Sequence, residues 1–129
     1  MTFLDKNKIN GRKAEDLAVN YLKEKGYQIL ERNFWKKWGE IDIVCFDKKT
    51  KEIVFVEVKA SEKNSSINPE ERLTFYKKER IKKAILSYLS KIKKPEIKWR
   101  FDFIAIKIDA SNFKRNVITH YSNQEIEYS

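Results

Sequence analysis

Two neighbouring apolar stretches place charge where a buried strand ordinarily has none: Gly39-Glu40-Ile41-Asp42-Ile43-Val44 and Ile53-Val54-Phe55-Val56-Glu57-Val58-Lys59. An unpaired carboxylate or ammonium in a strand centre costs several kcal/mol unless a partner, a metal or a function compensates. Side chains alternate along a strand. Phe55, Glu57 and Lys59 therefore share one face, with Val54, Val56 and Val58 on the other. By the same rule Glu40, Asp42 and Val44 point together, opposite Ile41, Ile43 and Cys45. The polar link from Phe46 to Glu52 lets the two runs fold back as an antiparallel hairpin, and matching their charged faces brings Asp42, Glu57 and Lys59 to one spot. Such a group either holds a divalent metal or forms a solvated salt bridge on an edge face.

The rest of the chain supplies a domain around that hairpin. Its 129 residues suit one domain, 1–129, with a core over about 8–121 and a frayed tail over 122–129. Ala14, Leu17, Ala18, Tyr21 and Leu22 recur at helical spacing, so a first helix is expected from about Lys8 or Gly11 to Lys25, closed by Gly26. Glu15 falls on the flank of that stripe, where it either reaches the sheet or pairs at the boundary with Arg12 or a lysine. Tyr27 to Phe34 reads as the first strand, followed by an aromatic-basic link to Trp38. Ala60 to Ile67 has the polarity of a loop. Asn68-Pro69-Glu70-Glu71 is a helix-start signal, with Thr74 as a rival start. Ile81, Ala84, Ile85, Tyr88, Leu89 and Ile92 define the second helix, ended by Lys93-Lys94-Pro95. Trp99 to Ile108 is apolar on both sides and Val117 to Tyr121 forms a last edge strand. This order predicts an α/β sandwich with a mixed sheet between helices.

Charge narrows the partners. Lysine and arginine number 28 against 19 acidic residues, a formal +9 that favours nucleic acid, with solubility or genomic base composition as the plainer reasons. Lys36, Lys37, Lys77, Lys78 and Arg80 are the candidate backbone contacts. Trp35 and Trp38 either stack on bases or cover a sheet edge. Lys78 lies within the arc of Ile81, Ile85 and Leu89, so its stem either snorkels past the apolar stripe or its ammonium borders a cleft. Asp102 reads as structural, pairing with Arg100 or Arg80, and His120 as a surface residue that on its own excludes a histidine-based zinc site. A single cysteine, Cys45, reads as a small packed hydrophobe and suits a reducing compartment. No apolar run reaches the roughly 18 residues of a membrane span. Met1 to Lys6 lacks the hydrophobic block of a secretory signal, so a cytoplasmic protein that engages no membrane is expected.

The runs Gly11 to Ala18, Gly39 to Val44 and Phe55 to Ala60, with Arg80-Ile81, Ala84, Tyr88-Leu89 and Arg100-Phe101-Asp102 in order behind them, resemble the YraN family of small bacterial proteins. Coverage extends from about Lys8 to Ile108. That family is similar to the restriction-endonuclease-like superfamily, Holliday-junction resolvases in particular. The resemblance implies a restriction-endonuclease-like sandwich and a nuclease hydrolysing phosphodiester bonds in DNA, branched forms included. It implies Mg²⁺ (or Mn²⁺) as cofactor, Glu15, Asp42, Glu57 and Lys59 as catalytic residues, and Asp42, Glu57 and Glu15 as metal ligands. A homodimer would suit symmetric junctions. Lys78 stands where relatives often carry Gln, and an added positive charge there bears on metal binding. The alternative is a nucleic-acid-binding module of the same fold without efficient hydrolysis.

Overall fold

A computed structural model describes residues 3–62, 75–109, 111–112 and 115–126, leaving aside the side chains of 3–10 and 75. The elements are α1 (Phe3–Glu24), β1 (Tyr27–Lys36), β2 (Gly39–Asp47), β3 (Glu52–Glu62), α2 (Phe75–Ile92), β4 (Lys98–Ile108) and β5 (Val117–Tyr121). The strands form one five-stranded sheet in the order β1-β2-β3-β4-β5. All neighbours are antiparallel except β3 and β4. A parallel pair needs a crossover, and α2 lies within that connection. The protein is thus an α/β sandwich, with a mixed sheet between two helices.

Two apolar clusters fix the layers. On one face Ala14, Ala18, Val19 and Leu22 of α1 pack on Ile43, Cys45, Val54, Val56, Val58, Ile104 and Ile106. On the other, Ile81, Ala84, Ile85 and Tyr88 of α2 pack on Phe34, Ile41, Val44, Phe55 and Phe101. Phe55 is fully buried, with the rings of Tyr88 and Trp99 edge-on at 5.6 and 5.9 Å. Truncating a side chain in such a place costs about 3–5 kcal/mol. Both apolar stripes read from the sequence are the faces that are buried here.

Several boundaries differ from expectation. Helix α1 begins at Phe3, a full two turns before Gly11. Its end is as expected: Gly26 adopts φ +91°, the left-handed conformation that closes a helix at low cost in glycine. Strand β1 extends through Lys36, so the aromatic-basic segment is mostly strand, and only Lys37 and Trp38 form the turn. Ala60, Ser61 and Glu62 belong to β3 because β4 pairs with it through Glu62↔Ile108. Residues 63–67 and both helix-start signals lie outside the described residues. The tail is not frayed as far as Ile126, which is buried in the α2-side cluster, and Gln124 N donates to Phe101 O at 2.7 Å. Among the described residues, no helix is long and apolar enough to cross a membrane.

Gly39 locks the hairpin to α2. A Cβ there would lie 2.0 Å from the Arg80 carbonyl oxygen, so only glycine permits this approach. That contact sets the height of the first described turns of α2 over the sheet.

Candidate active site

The site begins where the regular pairing of β2 with β3 stops. Their register runs from Asp47↔Glu52 to Ile43↔Val56 and ends there. Beyond it β3 continues in register with β4, Glu57 beside Phe103 and Lys59 beside Ala105, while β2 continues beside β1. The two middle strands therefore part at Asp42 and Glu57. Asp42 Oδ2 accepts the Val58 N–H at 2.8 Å, so a side chain takes the donor that the ladder abandons.

The opposite strand is irregular at the same level. Asn33 stands between the pairs Arg32↔Ile43 and Phe34↔Ile41 and has φ +52°, a left-handed conformation that asparagine tolerates better than most residues. Ile43 is buried on the α1 side and Ile41 on the α2 side. In–out alternation thus breaks across Asp42, and the expectation that Ile41 and Ile43 share a face is corrected. The break leaves Asp42 within electrostatic reach of both layers: Glu57 on the α2 side and Glu15 from α1.

Glu57 is the buried centre of the group, its side chain 3% exposed. Lys59 Nζ lies 3.4 Å from Glu57 Oε1, and Lys77 Nζ lies 3.0 Å from the same oxygen. The Asp42 carboxyl hydrogen-bonds that of Glu57. Burial first, then the Glu57 charge, hold the Asp42 carboxyl well above the usual carboxylate range, with Glu15 adding to both and the Val58 N–H opposing them. Asp42 is thus the carboxyl of the pair that ionises with difficulty. Burial pulls the Lys59 ammonium down; Glu57 opposes this, and Lys77 adds to it through a hydrogen bond and like charge. Burial also depresses Lys77 and is the largest single effect, but the Glu57 charge, hydrogen bonds with Lys59 and Glu57, and Asp42 together outweigh it and leave Lys77 raised. Lys77 is thus the firmer cation and Lys59 the more readily deprotonated amine.

Glu15 is half-buried on α1. Burial raises its carboxyl, opposed by Arg32 and by a hydrogen bond from Asn33, while Asp16 and Glu40 raise it further. Its Oε1 is buried without a hydrogen-bond partner. Of the two readings open for Glu15, the inward one holds, and Arg32 and Asn33 replace Arg12 as its neighbours. Arg32 is itself fixed by Asp16 at 2.7 Å.

Among the described residues, no three His, Cys, Asp or Glu side chains are grouped closely enough to form a ready-made metal site. The donor chemistry nevertheless fits a hard divalent cation: carboxylate oxygens only, one of them buried and unpartnered, and a buried Asp42 carboxyl raised by burial and by the Glu57 charge. The direct pair is Asp42 with Glu57, and Glu15 is the third carboxylate in reach.

The other sequence candidates divide. Lys77, expected at the nucleic-acid backbone, lies against Glu57. Its signal was present, since Lys77 precedes Ile81 by four residues on the apolar stripe, the same logic that drew attention to Lys78. Lys78 is half-buried. Trp38 donates its indole N–H to Ser87 Oγ at 2.8 Å, which pins it to α2 and favours the covering role. Trp35 is 64% exposed. Lys36 lies over the Phe34 ring at 5.7 Å and Lys37 is exposed in the turn. Cys45 is fully buried, donates to Val54 O, and has its thiol pushed up to about 12 chiefly by burial, as befits a packed hydrophobe.

His120 corrects its expectation. It is not a surface residue: its side chain is 11% exposed, Nε2 lies 2.7 Å from Asp102 Oδ2, and Nδ1 lies 3.0 Å from the Tyr21 hydroxyl. Asp102 is structural as expected. Its partner is Arg100, whose Nε donates to Oδ1 at 3.0 Å and whose other nitrogens reach Asp47, Thr50, Glu52 and Tyr27.

Comparison with known proteins gives the lineage. The model of the uncharacterised protein family UPF0102 matches residues 14–106, from the second half of α1 through most of β4. The chain belongs to this family. UPF0102 and YraN denote the same family, so the resemblance drawn from the sequence holds. A UPF0102 protein of Syntrophomonas wolfei is 42% identical over 114 residues, covering 87% of this chain and 96% of that protein. One from Geobacter metallireducens is 47% identical over 100 residues, 78% of this chain and 80% of its own. One from Campylobacter hominis is 42% identical over 107 residues, 83% and 91% respectively. The UPF0102 match spans every member of the carboxylate and lysine group, and none of these names carries an activity.

Proposed function

We propose that this protein is a metal-dependent endonuclease that hydrolyses phosphodiester bonds in DNA, with Asp42, Glu57, Glu15 and Lys59 as its working residues. The observation that carries this reading is the parting of β2 from β3, which brings Asp42 to Glu57 beside two lysines within the sheet.

Asp42 and Glu57 would hold Mg²⁺ or Mn²⁺, with Glu15 the third oxygen donor. Bound there, the ion would neutralise phosphate charge and lower the pKa of a water. The residues themselves do the rest. Glu57, buried between Lys59 and Lys77, fixes both amines near the reacting phosphate. Lys59, depressed by burial, can orient the attacking water or take a share of its proton. Lys77 keeps its charge and faces the phosphate oxygens. The formal +9 attracts the polyanion, and a symmetric homodimer would suit branched DNA with two scissile strands. A single buried thiol fits work in a reducing cytoplasm.

A second reading has its own support. Lys77 Nζ at 3.0 Å from Glu57 already supplies charge that a cation would bring, which favours a nucleic-acid-binding module with weak or no hydrolysis. Purified protein with Mg²⁺ or Mn²⁺, tested on duplex, single-stranded, flap and four-way-junction DNA, separates the two. Cleavage that falls about 10²–10³-fold in Asp42→Asn and in Lys59→Ala supports the nuclease. Cleavage that persists in both variants excludes this site. Salt-sensitive binding without cleavage in either metal, unchanged by Asp42→Asn, supports the binding module.

A further inference from the structure

Beside the carboxylate pair, between the start of α2 and the open end of the hairpin, lies a cleft of about 200 Å³ lined by Glu40, Tyr76, Lys77, Arg80 and Ile81. Lys77 is common to the cleft and the site, so the two adjoin. The cleft's floor is apolar, since Ile81 is 2% exposed. Tyr76 stands at its rim with 70% of its surface exposed, and the Arg80 guanidinium lies 5.8 Å from the ring centroid. Gly39 makes this shape possible, because any side chain there would push the Arg80 backbone away from the hairpin.

An exposed aromatic ring, a guanidinium beside it, an ammonium facing the reaction centre and an apolar floor together suit one kind of ligand. That ligand is a flat ring attached to phosphate. We infer that the cleft takes a single unpaired nucleobase next to the scissile phosphate, stacked on Tyr76, with Arg80 and Lys77 on the flanking phosphates. Glu40 is the polar group at hand for an exocyclic amine, which phosphate alone would not exploit. A base held inside a duplex cannot enter such a cleft, so the preferred substrate carries unpaired nucleotides at the cut. The tryptophans flagged by the sequence do not fill this role: Trp38 is committed to Ser87, and Trp35 is not among the cleft's lining residues.

This inference rests on the nuclease reading for its position beside a scissile bond, but it is testable without cleavage. In EDTA, binding of a 2-aminopurine-labelled single-stranded DNA and of the same sequence as a blunt duplex is measured by anisotropy and base fluorescence. Tyr76→Ala should weaken single-strand binding about tenfold and leave duplex binding unchanged, while Tyr76→Phe, which keeps the ring, stays near wild type. Equal weakening on both DNAs, no weakening on either, or no DNA binding by the wild type would overturn the inference. The rim position of Tyr76 predicts an unchanged melting temperature for Tyr76→Ala, so lost folding does not imitate lost stacking. A protein that passes this test but never cleaves retires the nuclease and keeps the subsite; one that cleaves but fails it does the reverse.

Discussion

Asp102 on β4 and Glu57 on β3 are both almost wholly buried in the same sheet, yet their surroundings are arranged oppositely. Around Asp102, on the α1 side, the neighbours donate: Arg100 at 3.0 Å, His120 at 2.7 Å and the Asn123 N–H at 2.9 Å. Burial pushes its carboxyl up, but these donors prevail and hold it below the usual range. Around Glu57, on the α2 side, Lys59 and Lys77 lie near, but so does the Asp42 carboxyl, which burial and the Glu57 charge hold well above the usual range. One cluster is complete. The other crowds the Asp42 carboxyl against Glu57. A buried network with matched donors and acceptors holds a fold together, whereas a buried carboxyl with a strongly shifted ionisation beside charged partners is a candidate for chemistry.

The largest test of that contrast is Arg100→Met. It strips Asp102, Asp47 and Glu52 of a shared cation and should destabilise the fold by about 3–5 kcal/mol in denaturant melts. A loss under about 1 kcal/mol would mean that the Arg100 cluster is as dispensable as a surface pair. Divalent metal comes next. Mg²⁺ at ten times its Kd should stabilise the wild type by about 1.4 kcal/mol in thermal melts and leave Asp42→Asn unmoved. A shift that survives Asp42→Asn places the ion elsewhere.

Asp42→Asn should itself raise stability, by about 1 kcal/mol at pH 8, because it removes a carboxyl that ionises badly while an amide can still accept from the Val58 N–H. The pH profile sharpens this. The folded pKa of Asp42 lies above the unfolded value near 3.9, so the folded state binds more protons between the two, and this group's contribution falls as pH rises through that window. Asp102 has the opposite sign: its folded pKa is depressed, so its contribution is present above the unfolded value and is lost as pH falls through the folded one. The stability gain from Asp42→Asn should therefore shrink toward pH 4, while the loss from Arg100→Met should shrink only in stronger acid. Parallel profiles would break the comparison. The smallest effect is expected for Glu15→Gln, a change of a few tenths of a kcal/mol in stability. Its half-buried carboxyl already has Arg32 and Asn33 beside it, so its loss should register in metal affinity before it registers in melting.

Much of this arrangement was legible in the residue order. The alternation Phe55, Glu57, Lys59 fixed which β3 side chains share a face, and the stripes of α1 and α2 fixed which sides pack. These are local facts, because the periods of strand and helix are set by the backbone alone. The pairing of Asp42 with Glu57 followed from hairpin length. The fate of Lys77 did not, although Lys77 and Lys78 are adjacent and both flank the stripe, because which of the two meets Glu57 depends on the rotation of α2 above the sheet. That rotation is held by Gly39 against the Arg80 carbonyl, forty-one positions away in sequence.

His120 shows the same limit from the other side. Nothing near it in the sequence suggests burial, and its partners Tyr21 and Asp102 come from α1 and β4. The parting of β2 from β3 is likewise a tertiary result: β3 stays with β4, β2 stays with β1, and Asn33 takes a left-handed conformation at the level of Asp42. The sequence by itself determined the elements, their buried faces and the presence of charge inside two strands. Only the packed structure decided which charges meet and which remain uncompensated, because such meetings are made by side chains from separate elements whose relative positions no local pattern encodes.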